Sequence, residues 1–140
     1  MVGWVFFEEG IQKFLFADLM GAGRFARIGI PAPEVMGPFV GVVEILCGAM
    51  IIAGLLTRLA VIPLLINITV AIISTKIPIL LGSDFLCFHV ARLARYGFWS
   101  MASEARTDFS MFLGLLFLLI AGAGTVSLDA RINPKIKNNV

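Results

Sequence analysis

The sequence predicts an all-α membrane protein, a four-transmembrane-helix bundle with an interfacial, aromatic-rich connector between its third and fourth helices. Three apolar stretches carry that prediction. Phe39–Leu56, Leu59–Leu81 and Phe109–Val126 hold only two formal charges between them, Glu44 and Lys76. Each is close to the ~20 residues that an α-helix needs to cross ~30 Å of hydrocarbon. Composition agrees, with 59% hydrophobic and 14% charged residues and a mean hydropathy of +0.98. A chain of 140 residues has too little interior to hide three such segments from water. The net charge of +2 is scattered and forms no nucleic-acid patch.

The spans are expected at about residues 3–20, 37–57, 59–82 and 108–126, in one domain over 1–133, with a polar, disordered tail at 134–140. The first span is short and polar on one face, where Glu8, Glu9, Gln12, Lys13 and Asp18 fall. It does not read as a cleavable signal, because Met1–Phe7 has no basic residue and two glutamates follow at once. The connector Gly21–Pro38 holds four glycines and three prolines. Its Ile30-Pro31-Ala32-Pro33 run is too stiff for a helix interior. Helix 2 starts near Met36–Phe39 and ends at the Leu56-Thr57-Arg58 corner, and helix 3 follows as the second arm of a hairpin. Pro63 is tolerable in the early turns of helix 3, and Pro78 with Gly82 marks its end.

Between Ser83 and Thr107, Arg92, Arg95, Glu104 and Arg106 interleave with Phe85, Phe88, Tyr96, Phe98 and Trp99. That mixture suits the headgroup region. Helix 4 is expected from Phe109 to Val126, with Thr107 or Asp108 as its N-cap. Four spans place both termini on one side. Arg58, Arg131, Lys135 and Lys137 lie there, against Arg24, Arg27, Arg92, Arg95 and Arg106 opposite, so basic residues do not set the orientation.

Intramembrane charges mark either function or paired survival. Lys13 and Glu44 are expected at a similar depth below one face, and Glu9 stands four residues before Lys13 in the favourable order for a helical pair. Glu44 shares a helical stripe with Gly41 and Gly48, which turns it inward. Two readings stay open for it: a structural acid, bonded to Lys13 or to backbone carbonyls or simply protonated, and a proton carrier or ligand-headgroup acceptor. Glu9, Lys13 and Glu44 are thus the candidate ligand-binding cluster, with Phe98, Trp99 and His89 as its candidate entrance. Lys76 lies one turn from the membrane edge and is expected to snorkel. Asn67, nine residues before it, falls half a turn out of phase. Arg58 and Asp129 are expected to form a structural ion pair. Cys47 and Cys87 make no C-x-x-C pair, and with a lone His89 no metal site is predicted.

These residues also carry a resemblance. Glu9-Gly10-x-x-Lys13, Gly29-Ile30-Pro31-x-Pro33, Glu44-x-x-x-Gly48, Gly54-Leu55-x-Thr57-Arg58 and Gly122-x-Gly124-x-x-Ser127-Leu128-Asp129 resemble, in that order, the DoxX family. The resemblance implies a small, multi-pass protein of the bacterial inner (plasma) membrane. Family members carry more apolar residues ahead of the Glu-Gly-x-x-Lys motif, and with eight residues before Glu9 the first helix reads as truncated. Relatives are associated with thiosulfate:quinone oxidoreduction or oxidative-stress complexes, and distant ones act in assembly.

Two functions follow as expectations. One is a membrane subunit of a redox system that binds quinone, or a membrane or soluble redox-protein partner, near Glu44, Glu9 and Lys13. No electron carrier is evident in the chain itself. The other is a non-enzymatic assembly or scaffold subunit docking on a larger membrane complex through Gly37-x-x-x-Gly41 and its polar connectors. Membrane lipids are the expected surroundings, nucleic acid is not a partner, and a homo-oligomer is the base-rate expectation.

Overall fold

The computed structural model describes residues 1–90, 93, 95–122, 124 and 127–129, and these form helices and connectors without a β-strand. Helix α1 is Val2–Leu15, α2 is Ala22–Ile28 and α3 is Pro33–Ala53. A long rod then runs through α4 (Thr57–Ala71), a π-helical turn (Ile72–Lys76) and α5 (Ile77–Leu81), and α6 spans Phe98–Ala121. Two of these rods are long and apolar enough to cross a membrane. They are Pro33–Ala53 and Thr57–Leu81, with mean hydropathies of 2.2 and 2.1.

Close helix contact is set by missing side chains. A Cβ on Gly10 would meet the Gly41 carbonyl oxygen at 2.7 Å, and one on Gly48 would meet that of Gly3 at 2.8 Å. Gly3 therefore lies beside Gly48 and Gly10 beside Gly41, so α1 and α3 run antiparallel almost backbone to backbone. This consumes the small-residue stripe of α3. Gly37 is likewise covered, by the Gly21–Ala22 backbone. Gly37-x-x-x-Gly41 is an internal seam, not the outward docking face expected of it.

Three element boundaries differ from expectation. Helix α1 stops at Leu15 instead of Met20, because a turn over residues 16–20 takes its place. Arg27 holds that turn, donating to the carbonyls of Asp18 (2.8 Å) and Leu19 (3.0 Å). Inside the Gly/Pro-rich connector lies α2, whose seven residues end at Gly29 in the left-handed conformation (φ 84°). Helix α6 begins at Phe98, nine or ten residues before the expected cap, since Gly97 (φ 109°) is the last break before a run free of glycine and proline. Residues 98–107 extend the helix, so the irregular connector is shorter than expected. Residues 123, 125, 126 and 130–140, which include the expected end of the fourth span and the polar tail, lie outside the described residues, as does Arg92.

The apolar core joins α1, α4 and α6 through Phe6, Val61, Leu64, Ile68, Met111 and Leu115. What faces outward is equally apolar. Phe39, Val42 and Leu46 on α3, Leu59, Ile62, Ile66 and Val70 on α4, and Phe109, Leu113 and Phe117 on α6 are all exposed. Buried Glu44 and Lys76 face inward on two of those rods. An oily outside around buried charges is the pattern of a lipid-facing surface.

Candidate functional site

Glu44 sits 11 residues into α3 and is only 3% exposed. The Gly41–Gly48 stripe turns it toward α1 and α4, which supply one donor each. Lys13 Nζ lies 2.6 Å from Glu44 Oε2, and Asn67 Nδ2 donates to Glu44 Oε1 at 2.6 Å. Both carboxylate oxygens are therefore engaged. Lys13 also stands 3.8 Å from Glu9, whose carboxylate is 43% exposed. The three residues singled out as a cluster thus meet, and Asn67 completes the set. Asn67 was detectable only as the lone amide in an apolar run.

Farther toward the connectors lies a second, part-buried pair. Lys76 Nζ is 2.9 Å from Asp108 Oδ2, and the Lys76 side chain is 10% exposed. Lys76 does not snorkel, and Asp108 is no cap. The reason is the π-turn over Ile72–Lys76. In a regular helix, nine residues place Asn67 and Lys76 ~180° apart; one extra residue in the turn reduces that to ~80°. Pro78 accounts for it. Its missing N–H cannot bond to the Ser74 carbonyl, and its ring crowds that turn. Ser74 and Thr75 hydroxyls turn back to the Ala71 carbonyl (3.3 and 2.6 Å), marking the disturbed ladder.

A cavity of about 340 Å³ opens between the two pairs. Phe6, Ile68 and Met111 of the core floor it, and Glu9, Lys13, Glu44, Asn67 and Asp108 supply its polar wall. On the connector side Arg24 and Phe25 of α2, together with Pro31 and Phe88, close over it. The size is at the lower end for small-molecule pockets, and an apolar lining with a few convergent polar groups is their usual chemistry.

The expected entrance residues are elsewhere. Phe98 and Trp99 are 59% and 83% exposed and pack on each other edge-on at 5.3 Å. His89 is exposed and bonds through Nδ1 to Asp84 Oδ2 at 3.0 Å. That bond, with the Val90 N–H, holds the Asp84 carboxyl below the usual aspartate range. None of the three lines the cavity. Aromatic residues were expected at the entrance; the aromatic side chains that line the cavity are Phe6, Phe25 and Phe88 instead.

Arg58 and Asp129 are close neighbours in the fold but do not pair. Asp129 Oδ1 and Oδ2 accept from the backbone N–H groups of Leu56 (2.7 Å) and Thr57 (3.0 Å), capping α4. Arg58 donates instead to the Ile120 carbonyl at 2.9 Å. The orphan N–H groups of a helix start attract a carboxylate strongly, and they lie nearer to it than the guanidinium. Among the described residues no cluster of His, Cys, Asp and Glu has the make-up of a metal site.

The family model for DoxX matches residues 1–77, which hold Glu9, Lys13, Glu44, Asn67 and Lys76. The uncharacterized membrane protein Rv3486 of Mycobacterium tuberculosis is 50% identical over 135 residues, covering 96% of this chain and 78% of the relative. The chain belongs to the DoxX family. It is a membrane protein, and its DoxX motifs meet in pairs. Glu9-Gly10-x-x-Lys13 packs on Glu44-x-x-x-Gly48, while Gly54-Leu55-x-Thr57-Arg58 is clasped by Asp129. No solved structure matches this DoxX protein significantly.

Proposed function

We propose that this DoxX protein crosses the bacterial inner membrane four times and serves a redox system as its quinone-binding subunit. The four crossings would be α1, α3, the Thr57–Leu81 rod and α6. One observation carries the ligand-binding part. The Glu44 carboxylate, bonded to Lys13 and Asn67, forms the inner wall of an apolar cavity. A quinone headgroup needs an oily slot with a few donors for its carbonyl oxygens, and Lys13 and Asn67 are such donors. Reduction of the bound ring would also need protons, for which the Lys13–Glu44 pair lies at hand. Electrons would come from a partner protein.

The competing role as a scaffold draws less support, because the glycine stripe meant to dock a partner is already filled by α1 and α2. Lipid extraction of the protein purified in mild detergent tests the proposal. Quinone should co-purify in near-stoichiometric amount and be lost with Glu44→Gln while the variant remains monodisperse. A stoichiometric protein partner without quinone would support the scaffold role instead.

A further inference from the structure

Of the charged groups around the cavity, most are already engaged by a protein partner. Glu44 is bonded on both oxygens, Lys13 lies against Glu44 and Glu9, and Asp108 lies against Lys76. Arg24 is different. It is half-buried and lines the cavity, yet among the described residues no carboxylate lies within ion-pair distance and no hydrogen bond engages its guanidinium. The contrast with Arg27, one turn along the same short helix, is informative. Arg27 is exposed and fully committed to the carbonyls of Asp18 and Leu19, so it builds the turn. Arg24 builds nothing in the chain.

A guanidinium in a partly desolvated, apolar setting is costly without an acceptor. Its planar fork matches a carboxylate or phosphate bidentately. Phe25, Phe88, Met111 and Ile68 line the same cavity, so an apolar tail has a place to go. We infer that Arg24 is the headgroup receptor of this cavity, which takes an amphiphile with an acidic oxygen headgroup, carboxylate or phosphate, and an apolar tail. The inference rests on the proposed ligand-binding role of the cavity and goes beyond the quinone reading: a quinone carries no acidic headgroup, so the amphiphile is a second ligand, recognised by Arg24 and not by Lys13 and Asn67.

The test uses the full chain in phosphatidylcholine nanodiscs, titrated with dodecanoate and with dodecanol, each corrected against protein-free discs. The native protein should prefer the acid by about tenfold, the scale of one charge-assisted hydrogen-bonded contact. Arg24→Gln should bring the ratio to near one with dodecanol affinity unchanged, which also shows that the cavity is intact. Arg24→Lys should fall between, and Arg106→Gln, on an exposed side chain of α6, should leave the ratio alone. Equal affinity for acid and alcohol in the native protein would overturn the inference. So would an Arg24→Gln variant that keeps the preference, or inorganic phosphate alone binding as strongly as dodecanoate. If neither amphiphile binds, the cavity has no such role and the proposed function loses its support as well. Absence of co-purified quinone with the acid preference intact would overturn the quinone reading alone.

Discussion

A carboxylate at a helix start and a carboxylate in an ion pair respond differently to mutation, and Asp129 separates the two. Its oxygens satisfy two backbone N–H groups, while Arg58 is engaged at Ile120. Leu56, which carries one of those N–H groups, is itself held in the left-handed region (φ 46°), a conformation that costs a non-glycine residue roughly 1–2 kcal/mol. Asp129→Ala should therefore destabilise the protein by about 0.5–2 kcal/mol, the usual range for a lost cap. Arg58→Gln should leave that cap unaffected. Thermal unfolding in detergent of the two single variants and the double variant checks this. A large coupling energy between the positions would instead indicate a direct pair. The same distinction was invisible in the sequence, where an acid and a base on one side of the membrane look like a pair. Only the fold shows that free N–H groups compete for the acid. Glu44 was more legible, because its flanking glycines fixed the direction in which it points.

At the level of helices, α1 is the element most dependent on fit. Its 14 residues make a rod of only ~21 Å, so packing on α3 has to hold it in place. Gly10→Val should push α1 off the Gly41 backbone, costing about 1–3 kcal/mol by overpacking. It should also part Lys13 from Glu44, a consequence beyond stability. The measurement is quinone or amphiphile binding beside thermal unfolding; lost stability with binding retained would mean that α1 does not position the site. Helix existence was readable from apolar runs, but helix ends were not. Glu104, Arg106 and Asp108 signal a membrane boundary in hydropathy, yet charged residues do not end a helix, and α6 continues through them from Phe98. The π-turn was hidden for a related reason. Only Pro78 announces it, and a proline near a helix end is usually harmless. Reading it as such sent Lys76 to the lipid edge rather than to Asp108.

The whole molecule makes a prediction about sides. Contacts of Gly3 with Gly48, Glu44 with Asn67, and Lys76 with Asp108 set neighbouring rods in alternating directions. With four crossings, Met1 and Asp129 share one face and the exposed Cys87 lies on the other. A membrane-impermeant maleimide should label Cys87 from the side opposite to tags at both termini. Labelling from the same side as either tag would remove one crossing from the proposal. The alternating arrangement also has a history during synthesis. The α3–α4 corner leaves the ribosome early, but the aspartate that ties Leu56 and Thr57 comes more than seventy positions later. Until then the nascent hairpin carries an open corner, its first amides left to water or lipid headgroups. The last described turn of the chain is therefore a latch, and its two bonds to the hairpin corner can form only after α6 has been made.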